Sequence, residues 1–163
     1  MTERYGAGVL EPGDKAPDFT LLDQHGERFT LSKSLKQRKA RHVIYFYPKA
    51  DTPGCTTQSC ALRDARPALD DLDAVVVGIS PDPPAKQQRF DTKHDLGFPL
   101  LADEDHGVAE RYGVWGEKSL YGKRYMGIVR SAFVVGTNVK VIAAFYKVSP
   151  KATVPKVTAA LEV

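Results

Sequence analysis

Cysteine is scarce, with two in 163 residues, too few for a disulfide scaffold. Long apolar runs are missing as well. The longest, Val43–Tyr47 and Ala74–Val77, fall far short of the roughly 20 residues that a membrane helix needs. Met1–Glu11 carries charges and glycines but no apolar signal-peptide core. The expected address is therefore the cytoplasm, with no membrane contact. An excess of one charge sign is also absent. The formal net charge is +3, too weak to imply nucleic acid. Lys33, Lys36, Arg38, Lys39 and Arg41 do crowd together without an acid among them. They read as a solvated surface segment before a buried strand, since exposed lysine and arginine are the norm. No aromatic residue interrupts the run to stack on bases. Phosphate-loop and dinucleotide motifs are lacking. His25, His42, His94 and His106 are scattered singly, unlike the paired ligands of structural zinc. Neither cofactor nor metal is expected.

What the chain does have is the composition of a soluble globular domain, 42% hydrophobic and 26% charged. No repeat, low-complexity tract or linker divides it, so residues 1–163 are expected to form one domain. Phe19–Leu22 and Phe29–Leu31 flank a turn at Asp23–Gly26 and read as a short hairpin. Val43–Tyr47 and Ala74–Ser80 are continuous apolar runs rich in β-branched residues, as expected of strands buried on both faces. Between them Leu62, Ala65, Leu69 and Leu72 recur at helical spacing, with Pro67 expected to break or bend the helix. A polar helix is expected from Pro84 to about His94, its first turn suited by the prolines. A short strand at Phe98–Leu101 and a short helix at Glu104–Tyr112 follow. Gly113–Ile128 reads as a long aromatic-bearing loop. Ala132–Val135 and Val141–Tyr146 read as a hairpin, and Val154–Leu161 as a terminal helix. Strands alternating with helices, then a hairpin and a helix, point to an α/β fold. A central mixed sheet flanked by helices, in the order of a thioredoxin-like fold with an added N-terminal β-hairpin, is the expectation.

The two cysteines, five positions apart, close the segment Pro48-Lys49-Ala50-Asp51-Thr52-Pro53-Gly54-Cys55 at Cys60. This segment follows the central strand, at the edge where open α/β sheets place their ligands. Thr52 suits an N-cap, and Pro53 suits the first helical position, where its missing N–H costs nothing. Cys55 then falls in the first helical turn, among unpaired backbone N–H groups and the positive end of the helix dipole. Such surroundings favour a nucleophilic thiolate.

The segment resembles the active site of the peroxiredoxins, whose pattern is Pro-x-x-x-Thr-x-x-Cys. Pro48, Thr52 and Cys55 match that pattern, and Cys60 in the same helix resembles the peroxiredoxin Q (bacterioferritin comigratory protein) branch. The likeness covers nearly the whole chain, including Gly13–Phe19, Tyr45–Pro48, Val77–Ser80, Phe98–Asp103 and Tyr121–Lys123. Gly127–Phe133 places Arg130 where the family keeps its active-site arginine. The chain departs from the branch at the Gly136–Lys140 turn, which lacks Asp-Gly, and at Lys147–Thr153, which lacks a histidine common there. The resemblance implies a thioredoxin-dependent peroxidase acting on hydrogen peroxide and organic hydroperoxides. Cys55 would attack the peroxide, held by Thr52 and Arg130 and shielded by Pro48. Cys60 would resolve the resulting sulfenic acid as a disulfide, and thioredoxin or a similar dithiol would reduce it. A monomer is implied.

Plainer readings stand beside this one. Cys60 could be an apolar filler, Thr52 only a cap, and Arg130 an ordinary salt-bridge partner. Trp115, Tyr121, Tyr125 and Met126 are candidates for an apolar wall that receives organic peroxides, or else plain packing. Two other functions use the same fold: a thiol-disulfide oxidoreductase, whose chemistry favours a Cys-x-x-Cys that this chain lacks, and a non-enzymatic redox sensor.

Overall fold

The computed structural model describes residues 9–163. Most of the N-terminal stretch read above for a signal peptide lies outside the described residues. Among the described residues, no helix is long and apolar enough to cross a membrane.

The chain opens with β1 (Thr20–Leu22) and β2 (Arg28–Thr30), then α1 (Leu31–Arg38), β3 (Arg41–Phe46), α2 (Pro53–Asp71) and β4 (Ala74–Ser80). Next come α3 (Pro84–His94), β5 (Leu100–Ala102), α4 (Gly107–Arg111), β6 (Trp115–Leu120) and β7 (Lys123–Ile128). The last elements are β8 (Ser131–Val135), β9 (Val141–Phe145) and α5 (Thr153–Glu162). Seven strands form one sheet in the order β2-β1-β5-β4-β3-β8-β9, with β3, β4 and β5 parallel and the outer strands antiparallel.

The apolar run of β3 is continuous because both faces of the strand are covered, and its side chains alternate between them. Ile44 and Phe46 join Leu31 and Leu35 of α1 and Val108, Ala109 and Tyr112 near α4 in one core. Val43, Tyr45 and Tyr47 join Leu62 and Leu69 of α2, Phe90 of α3 and Val157 and Leu161 of α5 in the other. Each Val, Leu, Ile or Phe among them stabilises the fold by about 1.5–3 kcal/mol on burial. The mixed sheet between two helical layers is the thioredoxin-like architecture expected.

Two local expectations fail for identifiable reasons, at Pro67 and at Gly113–Ile128. The basic stretch is exposed as expected and is also mostly helical. Asp18 accepts from the Ser32 N–H at 2.9 Å and from its hydroxyl at 2.7 Å, which supplies the cap that Thr30 does not. Lys36 and Arg38 sit in the last turn of α1, where the dipole favours cations. Pro67 does not end α2, which runs on to Asp71. Its ring is exposed, so it displaces no core side chain. Arg63 and Arg66 also tie the helix to the carbonyls of His94 and Gly97, at 2.6 and 2.9 Å. Finally, Gly113–Ile128 is largely a two-stranded ribbon, β6 against β7, rather than a loop. Its turn residues Tyr121 and Gly122 have φ of 52° and 78°, the paired positive values that a tight two-residue hairpin requires.

His42, at the start of β3, is fully buried. Its ring sits between the Ser34 hydroxyl at 2.7 Å and the Ala40 carbonyl at 3.0 Å. Burial pushes its pKa below the ordinary 6.5, against the backbone hydrogen bonds that raise it. The unfolded chain therefore binds this proton at a higher pH than the folded one. The contribution of His42 to stability is present above its ordinary 6.5 and is lost as the pH falls below it toward the lowered folded-state value. Denaturant titrations at pH 7.5 and 5.5 are expected to show a loss at the lower pH that is smaller in His42→Gln. An equal loss in both proteins would assign the acid sensitivity to other groups.

Candidate active site

After β3 the chain leaves the sheet through Tyr47 and Pro48 into a loop fastened at two points. The Ala50 N–H donates to Asp82 at 2.7 Å, and the same carboxylate oxygen accepts from the Ser80 hydroxyl at 2.7 Å. Asp51, at φ 61°, meets Lys93 at 3.0 Å and His94 at 3.2 Å. The hydrogen bond from Lys93, then that from His94, holds the Asp51 carboxyl below its ordinary pKa. The loop thus reaches Thr52 tied to β4 and α3.

Thr52 takes the N-cap position of α2 with extended backbone, and Pro53 is the first helical residue. The Thr52 hydroxyl does not cap the helix. It donates instead to the Lys49 carbonyl at 2.8 Å. Its proton is therefore committed, and its lone pairs are what it offers to a substrate. That corrects the expectation of a capping hydroxyl. Pro48 lies half-buried at the head of the loop.

Cys55 follows in the first turn of α2, its side chain buried. The N–H groups of this turn have no partner within the helix. Arg130, between β7 and β8, points its Nη1 at Cys55 Sγ across 3.5 Å and donates to Gln58 Oε1 at 2.8 Å. Gly54 lets the guanidinium approach: a Cβ there would lie 3.0 Å from Arg130 Nη2. Cys55, Thr52 and Arg130, picked out in the sequence, therefore meet at one helix terminus. Both cysteines are free thiols, and Cys60 is half-buried further along the unbroken helix.

Gln58, which no motif in the sequence marks, completes the site. It is fully buried and donates from Nε2 to the Thr153 hydroxyl at 2.9 Å, which in turn donates to the Ser149 carbonyl at 2.9 Å. This chain of bonds runs from Arg130 through α2 to the start of α5. A signal was available: Gln58 lies three residues after Cys55, on the same helix face. Beneath the site Tyr45 shares a 2.7 Å hydrogen bond with Ser59. Burial raises its pKa far above the ordinary value, so the phenol stays neutral.

The four candidate wall residues do not come together. Trp115 sits at the base of the ribbon, stacked on His106 at 3.7 Å, while Tyr121 is at its tip and 95% exposed. Closer to the guanidinium, Pro53, Gly54, Thr57, Pro150 and Lys151 line a cleft of about 330 Å³. Among the described residues, no group of three or more histidine, cysteine or acidic side chains could hold a metal ion.

Residues 12–144 match the AhpC/TSA family. Peroxiredoxin Bcp of Escherichia coli is 49% identical over 136 residues, 83% of this chain and 85% of that one. The crystal structure of peroxidoxin BcpB from Mycobacterium tuberculosis superposes with a TM-score of 0.83 at 37% identity, covering 94% of this chain and 97% of that one. The Xanthomonas campestris bacterioferritin comigratory protein, studied for alkyl peroxide reduction through trapped intermediate and ligand complexes, matches with a TM-score of 0.83. It shares 34% identity across 95% of this chain and 97% of that one. With the thioredoxin-like sheet and a cysteine at the N-terminus of α2, these likenesses place the chain in the AhpC/TSA family, in its peroxiredoxin Q/bacterioferritin comigratory protein branch.

Proposed function

We propose that residues 1–163 act as one thiol-dependent peroxidase domain in which Cys55 is the nucleophile and Cys60 the resolving thiol. The observation that carries this is the Arg130 guanidinium 3.5 Å from Cys55 Sγ at a helix N-terminus. The Cys55 thiolate attacks one peroxide oxygen and the O–O bond breaks. The other oxygen leaves as hydroxide or alkoxide and takes a proton from water. Sulfur and both oxygens must lie nearly in line, so the site has to hold the substrate in one orientation. Arg130 and the N–H groups of the first turn donate to the oxygens, while the Thr52 hydroxyl accepts from the hydroperoxide O–H. Donors held in place by Gln58 and the helix need no rearrangement as charge develops. Pro48 screens the loop side of the sulfur from water. The product is a Cys55 sulfenic acid, which the Cys60 sulfur attacks to form a disulfide, the oxygen leaving with the proton of the Cys60 thiol as water. A dithiol such as thioredoxin restores both thiols and is itself oxidised to a disulfide. A reducing compartment such as the cytoplasm suits a cycle that makes one disulfide per turnover. The chain is expected to work as a monomer, because one chain supplies every group named.

Five helical residues rise about 7.5 Å and turn about 140°. The Cα atoms of Cys55 and Cys60 then lie about 8–9 Å apart, beyond the roughly 7 Å limit for a disulfide. Disulfide formation therefore has to unwind α2 from about Pro53 to Cys60, and the unwinding breaks the Gln58 bonds to Arg130 and Thr153. In Cys60→Ser, Cys55 should react once with peroxide and then proceed to sulfinic acid, which mass spectrometry detects as two added oxygens. Peroxide should raise hydrogen exchange at Thr56–Ala61 in the native protein but not in this variant. Sustained thioredoxin-dependent turnover by Cys60→Ser would remove Cys60 from the cycle.

The direct test of the function is peroxide consumption with thioredoxin and its reductase, comparing hydrogen peroxide with a bulky organic hydroperoxide. Turnover with either is expected. A single oxidation without recycling would favour a redox sensor, and disulfide reduction without peroxide turnover would favour an oxidoreductase.

A further inference from the structure

The β6–β7 ribbon carries a cation that the site above leaves unused. Lys118 lies in β6 opposite Tyr125 of β7. It is half-buried, although its neighbours Glu117 and Ser119 are exposed. Its Nζ donates to the Ile128 carbonyl at 2.8 Å, two residues before Arg130 in the chain. The ribbon's acid is engaged elsewhere, since Glu117 faces Arg124 at 3.9 Å. Among the described residues Lys118 forms no ion pair.

A lysine on an exposed ribbon ordinarily extends its ammonium into water. Here dehydration, and after it the charge of Arg130, lower the pKa of Lys118, while Cys55 pulls the other way. The inward position thus has an electrostatic cost, and two features hold it. One is the charge-assisted hydrogen bond to Ile128, of a kind roughly twice as strong as a neutral one. The other is a notch at Gly127, where a Cβ would lie 3.1 Å from Lys118 Cδ and 3.3 Å from the Tyr125 ring.

The carbonyl gripped by Lys118 heads the corner that delivers Arg130. That corner is bonded on every side. The Val129 N–H donates to Val114 at 2.7 Å, the Ser131 hydroxyl to the Val129 carbonyl at 2.9 Å, and the Val148 N–H to the Arg130 carbonyl at 2.9 Å. Among these bonds that of Lys118 is the one made by a charged side chain, and it ties the corner to the middle of β6.

We propose that Lys118 is a positioning residue of the peroxide site, whose grip on the Ile128 carbonyl fixes the corner from which Arg130 reaches Cys55. The inference rests on the peroxidase reading above. It adds a group that acts through Arg130 without touching substrate. Misplacement by about 1 Å can slow a reaction by about a hundredfold, so the placement of this corner bears directly on rate.

The test is the second-order rate constant for oxidation of the reduced, full-length protein by hydrogen peroxide, followed by stopped-flow fluorescence of Trp115. Lys118→Met keeps the stem and removes the charge and its hydrogen bond. An approximately tenfold fall is expected, within the hundredfold bound set by a 1 Å displacement. Gly127→Ala leaves Lys118 chemically intact but crowds its stem, and a smaller fall in the same constant is expected. The deciding measurement is a double-mutant cycle with Arg130→Ala. Both variants should lose their effect when Arg130 is absent, which a general loosening of the fold would not produce. Native rates in Lys118→Met, or an undiminished fall in the Arg130→Ala background, would overturn the proposal. Should Lys118→Met not fold, Gly127→Ala answers alone, and a native rate there overturns it. The two readings fail separately: peroxide turnover by Cys55→Ser would sink the peroxidase site, whereas native-like Lys118 variants of a Cys55-dependent enzyme sink only this inference.

Discussion

Cys55→Ser is expected to abolish peroxide turnover while leaving the protein folded. A serine hydroxyl is almost wholly protonated near neutral pH, and oxygen is a far poorer nucleophile toward peroxide than a thiolate sulfur. Among the described residues, the side chain hydrogen-bonded to Sγ is the Arg130 guanidinium, which with the N–H donors of the first turn stabilises an anion but does not generate one. Cys60 cannot take over, since it lies on a different face of an intact helix. The fold should tolerate the change. Serine is close to cysteine in shape, and Arg130 can donate to its Oγ, so a buried hydroxyl is not left unpaired. A stability loss of about 1 kcal/mol is the scale for such a replacement. Peroxide consumption with thioredoxin and its reductase, beside far-UV circular dichroism and thermal unfolding, gives both readings. Near-native turnover in a folded Cys55→Ser protein would remove the central claim.

The parts of this fold that were legible in the sequence are those whose signal is local. Val43–Tyr47 and Ala74–Ser80 announce themselves because a strand covered on both faces must be apolar at every position. The bounds of β4 and α3 agree with the sequence reading residue for residue. Helix α1 was hidden because its only buried residues are Leu31 and Leu35, and its cap comes from Asp18, 14 residues upstream of Ser32. The β6–β7 ribbon was hidden because it lies outside the main sheet. With little to bury, its strands carry no clean alternation, and a Tyr-Gly turn lacks the usual Asn-Gly signal.

The site divides along the same line. Cys55 and Thr52 are readable because a helix N-terminus is a local object, built from a cap, a proline and a first turn. Arg130 came only from resemblance, since nothing local distinguishes it from any other arginine before a strand. Gln58 and Lys118 were not found at all. The meaning of Gln58 lies in partners 72 and 95 residues away, and that of Lys118 in a carbonyl across a hairpin that the sequence did not reveal.

Arg130→Ala should slow peroxide reduction by about 10²–10³, the usual effect of removing one donor from an oxyanion-type site. The guanidinium bonds Gln58 while pointing at Cys55 Sγ, so its position is set before substrate arrives. Its loss removes a full positive charge where the leaving oxygen becomes negative, and water entering the vacated space replaces it with dipoles that must reorient. The effect should fall on oxidation alone. Reduction of the disulfide follows the opening of α2, when Arg130 and Cys55 are already apart, so the rate with thioredoxin should be nearly unchanged. Stability should suffer as well, because the buried Gln58 carbonyl loses its donor, at a cost of about 1–3 kcal/mol. Arg130→Lys separates charge from geometry. A lysine keeps the charge but lacks the rigid fork that spans sulfur and amide together. It should therefore recover part of the oxidation rate without restoring the native value. Stopped-flow oxidation of the reduced proteins, set beside thioredoxin-dependent reduction of their disulfides, resolves the two half-reactions. An Arg130→Ala protein oxidised within a few-fold of the native rate would show that the 3.5 Å approach to the sulfur has no part in breaking the O–O bond.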